Sequence, residues 1–474
     1  MGDGSHPGDL ALKLTDTLHV AKGLGGEGKI SYGSLLPVAS ALNLSRWLYR
    51  KAQARMNMVI SSRMRSVMLV GLLTLTASAA CILPVRKIIG ASTLSANATA
   101  EPAPAKSPQG AVPNPPGGPA VQTPAQALAN GEGTGSMALR DVSNAVSRGA
   151  VCNDGSPAKY YFRPGTGSGN RVWVIHLQGG GFCYDKASCN QRKSEEPSFL
   201  TSNGLPANRQ GDGVEAPSPS RPSDFSSANH VFVHYCSSDL WSGDRGASEA
   251  TGGRQFRGAR IFQAVIDDLM DPAAVTPSPN LSQARQVLLS GSSAGGAGVL
   301  VHLDWLAGQL PGAAIWGVDD AGWFVDVNSI GPSVPSPRQM TQQAYVLWGG
   351  RVDASCAAAN PGSEGVCYLG PVVYPYIQTP LFVQIAQYDG PQLVGLGITL
   401  PLDDKERSFA LDFGKAVRDS LTPVAAAFSP ATRTHGLLQD EQFWTLAIDG
   451  VSFQEALGNW IFHRPGPIKL IGAR

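Results

Sequence analysis

Residues 286–309 constrain this chain more than any other stretch. An apolar run at 286–290 leads into Gly291-Ser292-Ser293-Ala294-Gly295-Gly296-Ala297-Gly298, and an apolar-periodic segment at 299–306 follows. Strand, glycine-rich turn, helix is the order in which G-x-S-x-G presents a nucleophilic serine. Small residues flank the serine because the chain reverses sharply there and the serine backbone is strained. Ser293 is the central serine of the pattern. Its hydroxyl falls at the start of the predicted helix, where free N–H groups and the helix dipole favour negative charge. The competing reading is a plain flexible or phosphate-binding turn.

The surrounding sequence alternates in type. Residues 172–177 and 231–235 read as buried strands, and 256–270 as a helix through Phe256, Ile261, Phe262, Val265, Ile266 and Leu269. Beyond the serine turn come strands at 315–318 and 381–386 and a helix at 408–421. Repeated β-then-α order requires a mostly parallel sheet with helices on both faces. The expected class is α/β, an α/β-hydrolase-like mostly parallel sheet flanked by helices, over residues 136–474.

What precedes that domain reads differently. Residues 1–55 show little periodicity and are expected to be a poorly ordered extension. Their Gly23-Leu24-Gly25-Gly26-Glu27-Gly28-Lys29 has phosphate-loop spacing, but Ile30 stands where a hydroxyl should hold magnesium. Residues 56–81 read as an export signal, with Arg63 and Arg65, an apolar run at 67–73 and an Ala77-Ser78-Ala79 cleavage site. Two alternatives stand beside a cleaved signal: a membrane anchor over the uncharged residues 66–85, or lipidation of Cys81 as in a bacterial lipoprotein. Each implies export, to secretion or to the cell envelope. Residues 82–135, with Pro102, Pro104, Pro108, Pro113, Pro115, Pro116 and Pro119 among Ala, Gly and Gln, have a linker's composition. Thirty-seven Lys and Arg against 36 Asp and Glu leave a formal charge of +1. No nucleic-acid footprint is visible in that balance.

Catalytic groups of an open parallel sheet gather at the carboxyl ends of its strands. Gly179-Gly180-Gly181 directly follows the strand at 172–177. Backbone N–H groups of Gly180 and Gly181, with that of Ala294, can form an oxyanion hole. Asp389 follows the strand at 381–386, the expected place for an orienting acid; Asp319 and Asp320 end an earlier strand and are its rivals. After Ser293 the histidines are His302, His435 and His463. His302 falls on the helix leaving the turn and reads as a core histidine, and His463 lies almost at the chain end. His435, in a turn-rich loop, is the candidate base. A serine hydroxyl is a weak nucleophile until a base takes its proton. His435 would do so, and Asp389 would fix its tautomer and stabilise the imidazolium. No cluster has metal-ligand spacing, so neither metal nor cofactor is expected.

Five separated stretches together resemble the pectin acetylesterase/Notum family of serine carboxylesterases. They are Cys152-Asn153-Asp154-Gly155-Ser156-Pro157-Ala158, Leu177-Gln178-Gly179-Gly180-Gly181-Phe182-Cys183, Tyr235-Cys236-Ser237-Ser238-Asp239-Leu240-Trp241-Ser242-Gly243, Gly291-Ser292-Ser293-Ala294-Gly295-Gly296 and Ala321-Gly322-Trp323-Phe324. The resemblance spans about residues 140–460. It implies Ser293, Asp389 and His435 as the triad, with Gly180, Gly181 and Ala294 as the oxyanion hole. It also implies disulfides Cys183–Cys189, Cys152–Cys236 and Cys356–Cys367, the first and third favoured by short separation. Asp239, Trp241 and Trp323 fall in its motifs and are expected near the substrate. The activity implied is removal of O-acyl groups, foremost O-acetyl groups on a polysaccharide such as pectin, with an acylated carbohydrate or other ester as substrate. A lipase-like or general carboxylesterase acting on longer acyl esters is the runner-up. Peptide hydrolysis by the same triad, or carbohydrate binding by an inactive hydrolase fold, are the readings from other classes. Two departures stand out: Gln178 where the family usually has Glu, and seven cysteines, fewer than animal and plant members carry.

Overall fold

The computed structural model describes residues 135–217, 223–273 and 280–473. The extension at 1–55, the segment at 56–81 with Cys81, and the linker at 82–135 but for its last residue lie outside them. Twelve strands are described: β1 (Ser136–Asp141), β2 (Lys159–Arg163), β3 (Val172–Leu177), β4 (Asn208–Gln210), β5 (Asn229–Val233), β6 (Gln286–Ser292), β7 (Ala314–Asp320), β8 (Leu381–Gln384), β9 (Ala426–Ser429), β10 (Ala447–Ile448), β11 (Val451–Ser452) and β12 (Lys469–Ile471). The helices that position the site or cover the sheet are α1 (Lys186–Glu195), α2 (Gly258–Met270), α3 (Ala294–Gln309), α4 (Pro337–Trp348), α5 (Gly390–Gly395), α6 (Asp404–Ser420) and α7 (Phe453–Ile461).

Ten strands form one sheet in the order β12-β9-β8-β7-β6-β3-β5-β2-β1-β4. From β12 to β5 every pairing is parallel, as the β-then-α order requires. The antiparallel edge of β2, β1 and β4 was not expected from sequence. Its strands are short, and β2 is apolar on both faces, so no long alternating run marks it. Boundaries moved elsewhere for local reasons. The helix expected from 408 starts at Asp404, because Asp403 and Glu406 form a reciprocal capping box.

Alternation in the strands feeds two cores. Trp173, Ile175 and Leu177 of β3 join Val287 and Leu289 of β6 and the apolar stripe of α2, Ile261, Phe262, Val265, Ile266 and Leu269. On the other face Val174, Leu288, Trp316, Val318, Phe382 and Phe428 meet Phe453, Ala456 and Leu457 of α7. The strand order reverses between β3 and β6: the chain runs outward from β3 to β5, crosses back through α2, and continues outward from β6. That reversal opens a crevice at the strand ends where ligands of α/β sheets bind. The loop after β3 and the turn after β6 both emerge there.

Among the described residues three disulfides are formed, Cys152–Cys236, Cys183–Cys189 and Cys356–Cys367, the pairs that the resemblance implied. Cys152–Cys236 closes 84 residues, tying the loop between β1 and β2 to the segment after β5. A bridge of that span restricts the unfolded chain most. Replacing both cysteines with alanine is expected to cost about 2–5 kcal/mol. Thermal unfolding of the double variant measures it, and an unchanged melting temperature would contradict the expectation.

Candidate active site

Ser293 sits between β6 and α3 with φ 58° and ψ −118°, a backbone region that a residue with a side chain enters only under strain. The turn is held by its own amide, which donates to the Asp320 carbonyl at 2.7 Å, and by its carbonyl, which accepts from Ala297 at 3.1 Å. Gly295 explains the glycine content of the turn: a Cβ there would collide with the Leu177 carbonyl, so α3 can close onto β3 only without a side chain. Ser293 keeps part of its surface accessible, while Ala294, first in α3, is buried. The Ala294 N–H is one of the free donors of a helix start.

The loop after β3 lies against this turn. A Cβ on Gly179 would stand 3.0 Å from the Cβ of Ser293. Gly180 (φ 146°) and Gly181 (φ 73°) adopt backbone conformations that favour glycine. A Cβ on Gly180 would also come within 2.7 Å of the Phe199 ring. Among the described residues none accepts a hydrogen bond from the N–H of Gly180 or Gly181. Support comes from behind. Arg192, its side chain 5% exposed, donates to Ser238 Oγ at 2.7 Å and to Glu196 at 2.6 Å, and its guanidinium covers the Phe199 ring. Cys183 ends the loop, pinned by its disulfide and by the Trp348 indole N–H on its carbonyl at 2.8 Å. The roles of Arg192 and Phe199 carry no sequence signal, because neither lies in a motif.

Asp389 and His435, 46 residues apart, meet through Asp389 Oδ2 and His435 Nδ1 at 2.7 Å. Asp389 is fully buried, and its other oxygen caps α5 by accepting the Gln392 N–H at 3.0 Å. Both oxygens are thus fixed, and the carboxylate dictates Nδ1–H on the ring. Burial lowers the pKa of His435, but the Asp389 charge and hydrogen bond, with a further pull from Asp320, raise it above its ordinary value. Its Nε2 has no hydrogen-bond partner among the described residues, and 23% of the side chain stays exposed. The histidine loop adjoins the serine turn: a Cβ on Gly436 would lie 3.6 Å from the Cβ of Ser292.

The rival residues have other places. Asp319 is buried and accepts the Gly322 N–H at 2.7 Å, and burial pushes its carboxyl well up. His302 is a satisfied core histidine: Nε2 meets the Trp241 carbonyl at 2.7 Å, Phe262 lies against the ring, and burial pushes its pKa down to about 4. His463 is exposed. The expectation that Asp239, Trp241 and Trp323 stand beside substrate is corrected, since all three are 0% exposed. Asp239 holds the start of α2 through the Gly258 N–H at 2.8 Å; Trp241 donates to the Gln178 carbonyl at 3.2 Å; Trp323 donates to Ser420 at 2.9 Å. They shore up the site from beneath and present no face to a sugar. Among the described residues no group of three or more His, Cys, Asp or Glu could hold a metal ion.

A strained serine at a strand–helix turn, at the switch point of a largely parallel sheet, defines an α/β-hydrolase-like fold. The chain belongs to the pectinacetylesterase family, whose model matches residues 132–473. The palmitoleoyl-protein carboxylesterase NOTUM of Drosophila melanogaster is 33% identical over 340 residues, 70% of this chain and 50% of that protein. The human protein of the same name is 32% identical over 330 residues, 66% of this chain and 64% of its own length. The chain therefore spans about half of the fly relative and under two thirds of the human one. The crystal structure of the Wnt deacylase Notum from Drosophila superposes with a TM-score of 0.66 at 31% identity, covering 72% of this chain and 97% of that one.

Proposed function

We propose that this protein is an exported serine carboxylesterase. The observation that carries the reading is the bond between buried Asp389 and half-buried His435 beside the strained turn of Ser293. Ser293 Oγ attacks the ester carbonyl while His435 Nε2 takes its proton. The N–H groups of Gly180, Gly181 and Ala294 receive the oxyanion. Asp389 stabilises the imidazolium, which then protonates the leaving alcohol. Water, activated by the same nitrogen, frees the acyl group from Ser293.

Export is supported by the three disulfides, which persist in oxidising compartments. It agrees with the signal-like residues 56–81 and with the organisation read from sequence: an extension at 1–55, a linker at 82–135 and the esterase domain at 136–474.

For substrate, we infer a short acyl group, acetyl first, on a polysaccharide such as pectin; the family's name supports this. The second reading, longer acyl esters, is favoured by the names of the fly and human relatives. It also has an aromatic group next to Gly181, where Phe182 meets Phe324 and Trp348 with ring centres 6.0 and 5.9 Å apart. A pocket that buries the acyl chain gains about 0.8 kcal/mol per methylene. Rates on p-nitrophenyl acetate, butyrate, octanoate and palmitate therefore separate the two, together with acetate release from acetylated pectin and xylan. We expect kcat/KM to fall with chain length. Octanoate about tenfold better than acetate, with no acetate released from either polymer, would select the second reading.

A further inference from the structure

Asp320 ends β7 fully buried, and it touches both halves of the site. Its carbonyl accepts the Ser293 N–H at 2.7 Å. Its carboxylate accepts the Ser292 hydroxyl at 2.5 Å. The same carboxylate accepts the Leu437 N–H at 2.8 and 3.0 Å and the Leu438 N–H at 3.0 Å, immediately beyond His435 and Gly436. On its other side the histidine loop is paired with the Asp389 loop, through Tyr388 N–H to Thr432 at 3.1 Å and Gly390 N–H to Arg433 at 3.3 Å. Asp320 supplies the opposite anchor, and it joins the loop to the serine turn.

We propose that Asp320 is a positioning residue, an ionised buried carboxylate that sets the distance between the turn of Ser293 and the loop of His435. The proposal rests on the reading of Ser293 as nucleophile and His435 as base. Its ionisation follows from its partners: the Ser292 hydroxyl, the Leu437 N–H and the Leu438 N–H converge on two oxygens, and a proton on the carboxyl would put another hydrogen among them. Burial pushes the carboxyl up, and those donors with the His435 charge pull against burial. The charged groups facing His435 are Asp389, from the loop after β8, and Asp320 itself. Asp319, next in the strand, points to the opposite face and meets Gly322 instead. Loss of a carboxylate that fixes two catalytic loops costs rate through misplacement, and a shift of about 1 Å can cost roughly a hundredfold.

The test compares Asp320→Asn and Ser292→Ala with the wild-type protein on p-nitrophenyl acetate across pH. Labelling of Ser293 by a fluorophosphonate is followed in parallel. Asp320→Asn is expected to lose about 30- to 100-fold in kcat with KM changed less than about threefold. Removing a negative charge also destabilises the imidazolium, so the acid limb of kcat/KM and of labelling should move to lower pH. A role in folding alone would lower the melting temperature and leave that limb where it is. Ser292→Ala keeps the charge and both leucine contacts, and should lose about three- to tenfold in kcat. A folded Asp320→Asn enzyme with wild-type kcat, or with an unmoved acid limb, overturns the proposal. Should Asp320→Asn not fold, an unaltered kcat in Ser292→Ala overturns it equally. Ser293→Ala, run alongside, separates the two levels: activity there removes the underlying reading, whereas an inert Ser293→Ala beside a normal Asp320→Asn removes only the assignment of Asp320.

Discussion

Ser293→Ala is expected to lower kcat by about 10⁴- to 10⁶-fold while leaving the protein folded. The substitution removes one oxygen from a half-buried position. It leaves the hydrogen bond from the Ser293 N–H to the Asp320 carbonyl, and the one from the Ala297 N–H to the Ser293 carbonyl, in place. Alanine meets the same cost at φ 58° that serine does, so the turn keeps its geometry. What disappears is the atom proposed to bond to the acyl carbon, and neither neighbour can stand in. Ser292 points to the opposite face of β6, its hydroxyl held by Asp320. Residual hydrolysis would come from the oxyanion donors and from binding alone. Steady-state rates on p-nitrophenyl acetate, with circular dichroism to verify folding, are the measurement. Activity within about tenfold of wild type would remove Ser293 as nucleophile.

That prediction rests on a feature legible in the sequence, and much of the frame is of the same kind. The strand–turn–helix around Ser293 is local: apolar residues lead in, glycines permit the close approach to Leu177, and apolar spacing resumes in α3. The loop glycines after β3 are local too, since a run of three after a buried strand has few other uses. What escaped reading is contact across long separations. Asp320 lies 117 residues from Leu437 in sequence, and its partners there are backbone N–H groups, which carry no residue signature. Trp241 and Trp323 show the converse error. Their motifs place them at strand ends near the site, but residue type does not say which way an indole turns, and both turn inward to bond Gln178 and Ser420. The edge strands β1, β2 and β4 were missed because they are short and carry no long alternating run, and because the β1–β4 and β2–β5 pairings join segments far apart in the chain.

The second large effect belongs to His435. Replacing it with alanine is expected to cost about 10⁴- to 10⁶-fold in kcat, because Ser293 then has no base and the departing alkoxide no acid. The pH dependence gives the sharper test. In the proposed mechanism catalysis requires neutral His435, so activity is expected to fall as pH drops through its pKa. Burial lowers that pKa, but the charge and hydrogen bond of Asp389 outweigh burial and raise it above the ordinary value of a histidine. The acid limb of kcat/KM should therefore lie above pH 6.5. Asp389→Asn removes the charge and lets the ring adopt the wrong tautomer, so kcat should fall about 10³- to 10⁴-fold. The limb should move toward lower pH at the same time, because the imidazolium loses its nearest counter-charge. Loss of kcat in Asp389→Asn with the limb unmoved would mean that another group carries the essential proton. An active His435→Ala enzyme would remove the base outright, whatever Ser293→Ala had shown.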